Sequence, residues 1–342
     1  MGFGYAIYFA DRKKKRIIRW APDTSKAEVI ADAISANDPT HRISEPYGLC
    51  FSGSDLLASD KHRHRIVRIT GTISKTVIPV ALRDTDGHRA RTSQSPAYFD
   101  PDELHSPTTL FSEATGDVLC TFYDDHTIYR IRKNGSLELI LGVVRNTPHL
   151  KSAPQEFLAP EIAKVTPLWG PTGVVKRADG TIFFIERDAQ IVREYHPARG
   201  LRSVFALSQL GRWRDAPEAP AEGGLGEYHP VSPASLALDS EGQLYVCDTV
   251  HLSVLRVDLK ARRFVRVHLS QRKPDTYVDR GPLALVFGPD RTAWLADSAQ
   301  GGIQAFDTGS IGNWIPRQES LVAIEGEPLK FVAGGMGIVT GN

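Results

Sequence analysis

The chain has little sulfur: three cysteines and two methionines in 342 residues. Cys50, Cys120 and Cys247 each fall within an apolar run that reads as a strand, where a small buried hydrophobe is the expected role. A disulfide framework is therefore excluded as the organising principle. Long apolar stretches are lacking too, so no segment reads as a membrane span. The first apolar run is followed, rather than preceded, by Arg12-Lys-Lys-Lys-Arg16, the wrong order for a secretory signal, and Ala6 stands where myristoylation after Gly2 would need Ser or Thr. Net charge is close to absent at +1, which removes any global pull towards nucleic acid or membrane. No linker-like composition divides the chain, and a hydrophobic share of 41% suffices for a packed core. The expectation is a single domain over 1–342, cytoplasmic and monomeric.

What is present is a repeat. From Ser232 to Leu259 the chain reads SPASLALDSEGQLYVCDTVHLSVLRVDL. Three short β-branched or apolar runs, Ser235–Leu238, Leu244–Cys247 and Val254–Val257, are parted by the turn Asp239-Ser-Glu-Gly242 and by Asp248, and a fourth follows at Phe264–Val267. Four such strands form a small antiparallel sheet that cannot bury both faces alone, so it needs neighbours of its own kind. Taking the first Ile or Val of the third strand as a register mark gives Ile17, Ile66, Ile128, Ile191, Val254 and Ile303. An Asp lies six positions before the mark at Asp11, Asp60, Asp248 and Asp297, and an Arg two positions after it at Arg19, Arg68, Arg130, Arg193 and Arg256. First strands follow a Pro or Gly turn, as at Pro46, Pro107, Pro171, Pro233 and Pro282. The amino terminus starts inside a unit, at Tyr5–Ala10, and the stretch from Gly334 to Asn342 reads as the missing first strand. Joined, the two ends close a ring with no unpaired inner edge.

This Pro-x-Gly start, Gly turn, strand-ending Asp and Arg-bearing third strand resemble the NHL-repeat family. The resemblance implies an all-β, six-bladed β-propeller of four-stranded antiparallel blades, the fold shared with gluconolactonases, paraoxonases, strictosidine synthases and peptide-amidating lyases. It also implies that the site lies on the face carrying the loops between second and third strands and the connections between blades. Three of those connections are long, at about 83–105, 143–169 and 208–231, and hold Tyr98, Phe99, Phe157, Leu158, Leu168, Trp169, Trp213 and Tyr228. Loops of that length are usually functional. Over blades three to five they would form a lid on a small-molecule pocket, with a short helix expected within 154–165.

Two basic loops, Arg12–Arg16 and Lys61-His-Arg-His-Arg65, occupy the same place in adjacent blades and should merge into one patch. It would attract an anionic small molecule or the phosphates of RNA. Chemistry is expected where the repeat departs from itself. Blade three has Tyr123-Asp-Asp-His126, blade four Glu186-Arg-Asp188 in what reads as a shortened loop, and blade five His251. Just before the inner strands stand Glu45, His105, Trp169 and Arg280, with His229 slightly further out. Glu45 with His105 is the candidate acid–base pair, Glu186 a second candidate acid, and Arg280 a holder of anionic oxygen. His126, Trp169, Trp213, Tyr228, His229, His251 and Arg280 are the expected substrate-binding set. Gluconolactonase-type propellers hold a divalent cation with carboxylates and amides at the inner-strand starts, whereas those positions here are Tyr47, Thr108, Thr172, Ala234, Leu283 and Met336. No metal or other cofactor is expected on that ground.

Two functions follow from these residues. The first is an enzyme transforming a small, partly anionic molecule by acid–base chemistry: hydrolysis, elimination or cyclisation. The second is a non-catalytic scaffold presenting the basic loops to RNA or protein.

Overall fold

The computed structural model describes residues 4–33, 42–70, 76–79, 104–143, 157–205, 220–228, 230, 232–271, 281–299, 301–308, 314–321, 323–324, 327–328 and 338–341. It is a six-bladed β-propeller with almost no helix. Counting from the axis outwards, blade two comprises Pro46–Ser52, Asp55–Asp60, Arg65–Thr70 and Thr76–Pro79. Blade three comprises Pro107–Ser112, Val118–Phe122, Thr127–Ile131 and Leu137–Gly142. Blade four has Pro171–Lys176, Ile182–Glu186, Ile191–His196 and Gly200–Ser203, and blade five Pro233–Leu238, Leu244–Asp248, Ser253–Asp258 and Arg263–Leu269. Blade six is Pro282–Phe287, Ala293–Asp297, Gly302–Asp307 and Ile315–Leu321. Every one of these inner strands starts at its Pro, which needs no ladder partner for its missing N–H at a strand's first position.

Blade one is made from both ends of the chain. Ile338–Gly341 pairs antiparallel with Ala6–Asp11, placing Phe9 opposite Ile338 and Ala6 opposite Gly341. Arg16–Ala21 and Lys26–Asp32 complete it. The closing interface with blade six is reinforced from inside: the Trp20 and Trp294 rings meet edge to face at 5.3 Å, and Trp294 Nε1 donates to Tyr5 Oη at 3.0 Å.

The described residues form six apolar clusters, one between each pair of adjacent blades. That distribution is what a ring of two-faced sheets requires, because each sheet is buried only by its neighbours. All three cysteines lie in these clusters, with Cys50 and Cys120 between blades two and three and Cys247 between blades five and six. Burial pushes the Cys247 thiol up to about 12, which leaves it an unreactive hydrophobe. Where blades two and three approach most closely at the axis, Gly48 lies against the Thr108 carbonyl. A Cβ there would overlap that oxygen, so the inner strand tolerates only glycine.

Two of the long connections add a fifth, outermost strand to the blade that follows them. Phe157–Leu158 pairs with Gly200–Ser203 in blade four, and Glu222–Gly224 with Arg263–Leu269 in blade five. The expected helix is a single turn, Pro160–Lys164. The described parts of these connections thus extend blade edges, with Leu158, Leu168 and Tyr228 buried and Phe157 exposed. The remainder, including Tyr98, Phe99 and Trp213, lies outside the described residues. No helix among those residues is long and apolar enough to cross a membrane.

The register of blade four differs from the sequence reading. In every blade the third strand is preceded by a left-handed residue: Lys15, His64, His126, Gln190, Leu252 and Gly301. The mark lies two residues further on, so in blade four it is Val192, paired with Ile185, and not Ile191. Two β-branched residues in succession and Arg193 behind them made the slip plausible. With the correction Glu186 becomes the counterpart of Asp60, and the blade-four turn Arg187–Gln190 is as long as the others, not shortened.

Candidate functional site at the channel mouth

The second and third strands of each blade are joined by four residues in which position decides the role. The first residue donates its backbone N–H to the carbonyl just before the inner-strand Pro. Lys61 bonds Glu45, Tyr123 bonds Ser106, Arg187 bonds Gly170, Thr249 bonds Ser232 and Ser298 bonds Gly281, at 3.0 to 3.1 Å. That bond pins the first residue at the rim of the central channel. The third residue latches the connection arriving at its own blade: Arg63 donates to the Arg42 carbonyl, Asp125 accepts from the His105 N–H, and His251 meets Tyr228 Oη at 3.0 Å. The fourth, left-handed residue reaches the next blade where it is histidine. His64 Nδ1 accepts from Ser106 N at 3.0 Å and His126 Nδ1 from Gly170 N at 3.1 Å.

The strand-ending carboxylates complete this stitching. Asp60 is fully buried and accepts from the Ser44 and Glu45 amides at 3.0 and 2.8 Å and from Arg65 Nε at 3.1 Å. Asp248 receives Ser232 N at 3.2 Å, Tyr228 Oη at 2.9 Å and His251 Nδ1 at 2.9 Å. Glu186 pairs with Arg193 at 3.1 Å, and burial pushes its carboxyl up against the pull of that guanidinium. Blade three has Phe122 at this place, and the next residues substitute for the missing carboxylate: Asp124 takes the Ser106 hydroxyl and Asp125 the His105 backbone and ring.

Several sequence-derived candidates are therefore engaged in bonds within their own blade, to the connection entering it, or to the next blade. His126, His251, Tyr228 and Glu186 bond to neighbouring elements as described. His105, only 5% exposed, bonds Asp125 Oδ1 through Nδ1 at 3.1 Å and lies edge to face on His64 at 5.2 Å. Glu45, expected to act with His105, forms an ion pair with Arg12. Trp169 is half-buried, its carbonyl accepting from Asp188 N at 3.2 Å. Trp213, His229 and Arg280 lie outside the described residues.

The first turn positions converge instead. Tyr47, at the top of the blade-two inner strand, is 4% exposed, with the Arg12 guanidinium 4.8 Å and the Lys61 ammonium 5.7 Å from its ring centre. Its hydroxyl receives Arg187 Nη1 at 3.3 Å. Arg187 belongs to blade four, which does not adjoin blade two, so this contact is made across the channel. Lys61 Nζ also sits 4.7 Å from the centre of the Tyr123 ring, whose hydroxyl donates to Asp188 at 2.5 Å. Beneath Tyr47 the inner strands of blades two to six enclose a cavity of about 340 Å³ whose walls include Leu49, Thr109, Gly173, Ala234 and Ala284.

Electrostatics single out two of these groups. Arg12 is neutralised by Glu45, although its Nε is buried and unbonded. Lys61 and Arg187 have no ion-pair partner among the described residues. Burial pushes the Lys61 ammonium down; Glu45 and Asp124 oppose this, and Arg12 and Arg187 reinforce it. Burial holds the Tyr47 and Tyr123 phenols protonated, raising Tyr47 against the pull of Arg187 and Arg12. The same rim positions of blades five and six are, among the described residues, Thr249, Ser298 and Gly281, small groups facing the charged and aromatic ones of blades one to four. Among the described residues no group of three or more His, Cys, Asp or Glu side chains is placed to hold a metal ion.

The basic loops meet, but not as a solvated patch. Arg16 and Arg65 are buried in ion pairs with Asp11 and Asp60, and Arg12 and Lys61 turn in over Tyr47. Only Lys13, Lys15 and His62 of those ten residues are exposed.

No protein-family model and no curated protein matches this sequence. Solved structures do. A chain of a nidogen/laminin complex matches with a TM-score of 0.58 at 13% identity, covering 98% of each chain. A putative gluconolactonase matches with a TM-score of 0.52 at 15% identity, covering 86% of this chain and 82% of that one. Virginiamycin B lyase from Staphylococcus aureus gives 0.47 at 16% identity, covering 82% and 71%. At such identities the likeness is one of fold, and the fold is the six-bladed β-propeller.

Proposed function

We propose that this propeller is an enzyme acting on a small anionic molecule bound at the channel mouth, its negative group held by Arg187 and Lys61 against Tyr47 and Tyr123. The observation that carries this reading is the meeting of Tyr47 and Arg187 from non-adjacent blades over the channel, with an unpaired lysine beside them. A guanidinium with no carboxylate partner among the described residues, exposed at the mouth and bonded to a phenol, favours a carboxylate or phosphate oxygen. The small residues of blades five and six leave the opposite side of the rim for the rest of the substrate. Glu45, oriented by Arg12, and Lys61 flank the same tyrosine and are the groups assigned to proton movement.

The test is thermal unfolding with a panel of small carboxylates and phosphates at low and high ionic strength, on the native chain and on Arg187→Ala. A ligand that binds only the folded state raises the midpoint, increasingly so as its concentration exceeds its dissociation constant. The reading expects at least one acid to do so, an effect removed by Arg187→Ala, and turnover of that acid or a close relative. Midpoints that no acid moves, together with salt-dependent RNA binding lost on changing Lys13, Lys15 and His62, would replace it with the scaffold.

A further inference from the structure

We infer that Lys61 is a carbonyl-condensing amine, and that the mouth selects 2-oxo acids by pairing this amine with the guanidinium of Arg187. The inference rests on the anion-site reading above and extends it to a reaction and a substrate class.

Three features of the geometry point there. First, no carboxylate bonds the Lys61 ammonium among the described residues; it is held at the mouth on the faces of the Tyr123 and Tyr47 rings instead of in an ion pair. Second, its charged neighbours oppose one another: burial, the largest influence, pushes the ammonium down, Glu45 and Asp124 favour it, and Arg12 and Arg187 repel it. A lysine beside other cations in a partly desolvated site is the usual setting of an amine nucleophile. Third, Arg187 and Lys61 share Tyr47, which spaces an anion holder from an amine within one small site. A 2-oxo acid carries a carboxylate and an electrophilic carbon side by side, so one molecule can offer the first to the guanidinium and the second to the amine.

The step balances without a further reagent. The neutral Lys61 Nζ adds to the keto carbon, and the carbonyl electron pair passes to oxygen. Both amine protons finally leave with that oxygen as water, which yields the C=N bond. The phenols of Tyr123 and Tyr47 stay protonated throughout and keep the site shielded.

The experiment is reductive trapping. The full-length chain is incubated with pyruvate and, separately, phenylpyruvate, then treated with sodium cyanoborohydride, and the modified lysines are located by peptide mass mapping. The expected result is a carboxyalkyl adduct concentrated on Lys61, well above that on the exposed Lys13 and Lys15, since burial favours the neutral amine at Lys61 and the guanidinium beside it holds the acid there. Lys61→Arg should abolish it, and Arg187→Ala should reduce it without altering background labelling. Equal labelling of Lys13, Lys15 and Lys61, or undiminished labelling in Arg187→Ala, would overturn the inference. Lactate, which has the carboxylate but no keto carbon, separates the two levels. If lactate raises the thermal midpoint but the oxo acids do not label Lys61, the anion site stands and the imine falls. If neither occurs, both fall.

Discussion

Asp60 and Lys61 are joined by one peptide bond and serve different ends. Asp60 is fully buried, with two backbone amides and Arg65 bonded to it. Lys61 stands on aromatic faces without an ion-pair partner among the described residues. The division is clearest in blades two and four. The strand-end carboxylate and the third and fourth turn positions bond neighbouring chain, as do the first-position side chains of Arg12, Tyr123, Thr249 and Ser298, whereas Lys61 and Arg187 are pinned by their backbones and present their side chains to the mouth. Stability and function are therefore separable at single-residue resolution, and substitutions can test how cleanly.

The largest stability effect is expected at the stitching. Asp60→Ala leaves Arg65 buried without its carboxylate and strands two amides, so it should cost about 3 to 5 kcal/mol in urea unfolding. A loss below about 1 kcal/mol would show that the carboxylate is not the organising contact. Next comes Gly170→Ala. Gly170 has φ +59°, and an added Cβ would lie 2.6 Å from Asp188 Oδ2 and 2.7 Å from Tyr123 Cε2. The combined strain should cost about 1 to 3 kcal/mol, and by displacing Tyr123 it should also weaken ligand binding at the mouth. The two regions meet here, and an effect on stability alone would show that Tyr123 keeps its place at the mouth.

A smaller effect, visible only in its pH dependence, is expected at His64. Burial, followed by the neighbouring His105, depresses this imidazole below 6.5, against the pull of Asp124 and Asp125; His62 adds to the depression. The folded chain thus prefers neutral His64, and the unfolded chain binds the proton first as pH falls. Its contribution is complete above pH 6.5 and is lost as pH drops through 6.5 towards the folded value. His64→Asn retains an oxygen acceptor for Ser106 N and suits the left-handed conformation. The wild type's advantage over the variant should be greatest above pH 6.5 and shrink or reverse as pH falls through it, and a difference that is independent of pH would assign the effect to packing.

Much of this architecture can be read from the chain, because the constraints are local: a Pro where an inner strand starts, a carboxylate where the second strand ends, and alternating apolar residues between. Blade four was misread by one residue because its left-handed position is Gln190, and five of the six left-handed turn residues are not glycine. The site was harder to see. Histidines attract attention by type, yet His126 and His251 sit at turn positions that face neighbouring chain, whereas Arg187 sits at the position that faces the axis. Turn position was available as a signal in the six aligned turns, with Arg12, Lys61, Tyr123 and Arg187 against Thr249 and Ser298. The approach of Arg187 to Tyr47, 140 residues apart, depends on ring geometry that no local pattern encodes.

The smallest stability effect should fall at the mouth itself. Arg187 is exposed and its hydrogen bond to Tyr47 is long, so Arg187→Ala should change the unfolding free energy by no more than about 0.5 kcal/mol. Lys61→Met keeps a flexible side chain on the two rings and relieves burial of a charge, so it should be neutral or slightly stabilising. Both should nonetheless abolish the midpoint increase given by any acid that binds the native chain. If Lys61→Met instead destabilises as strongly as Asp60→Ala, its contacts with Tyr47 and Tyr123 are part of the stitching, and the first turn position does not belong to the ligand.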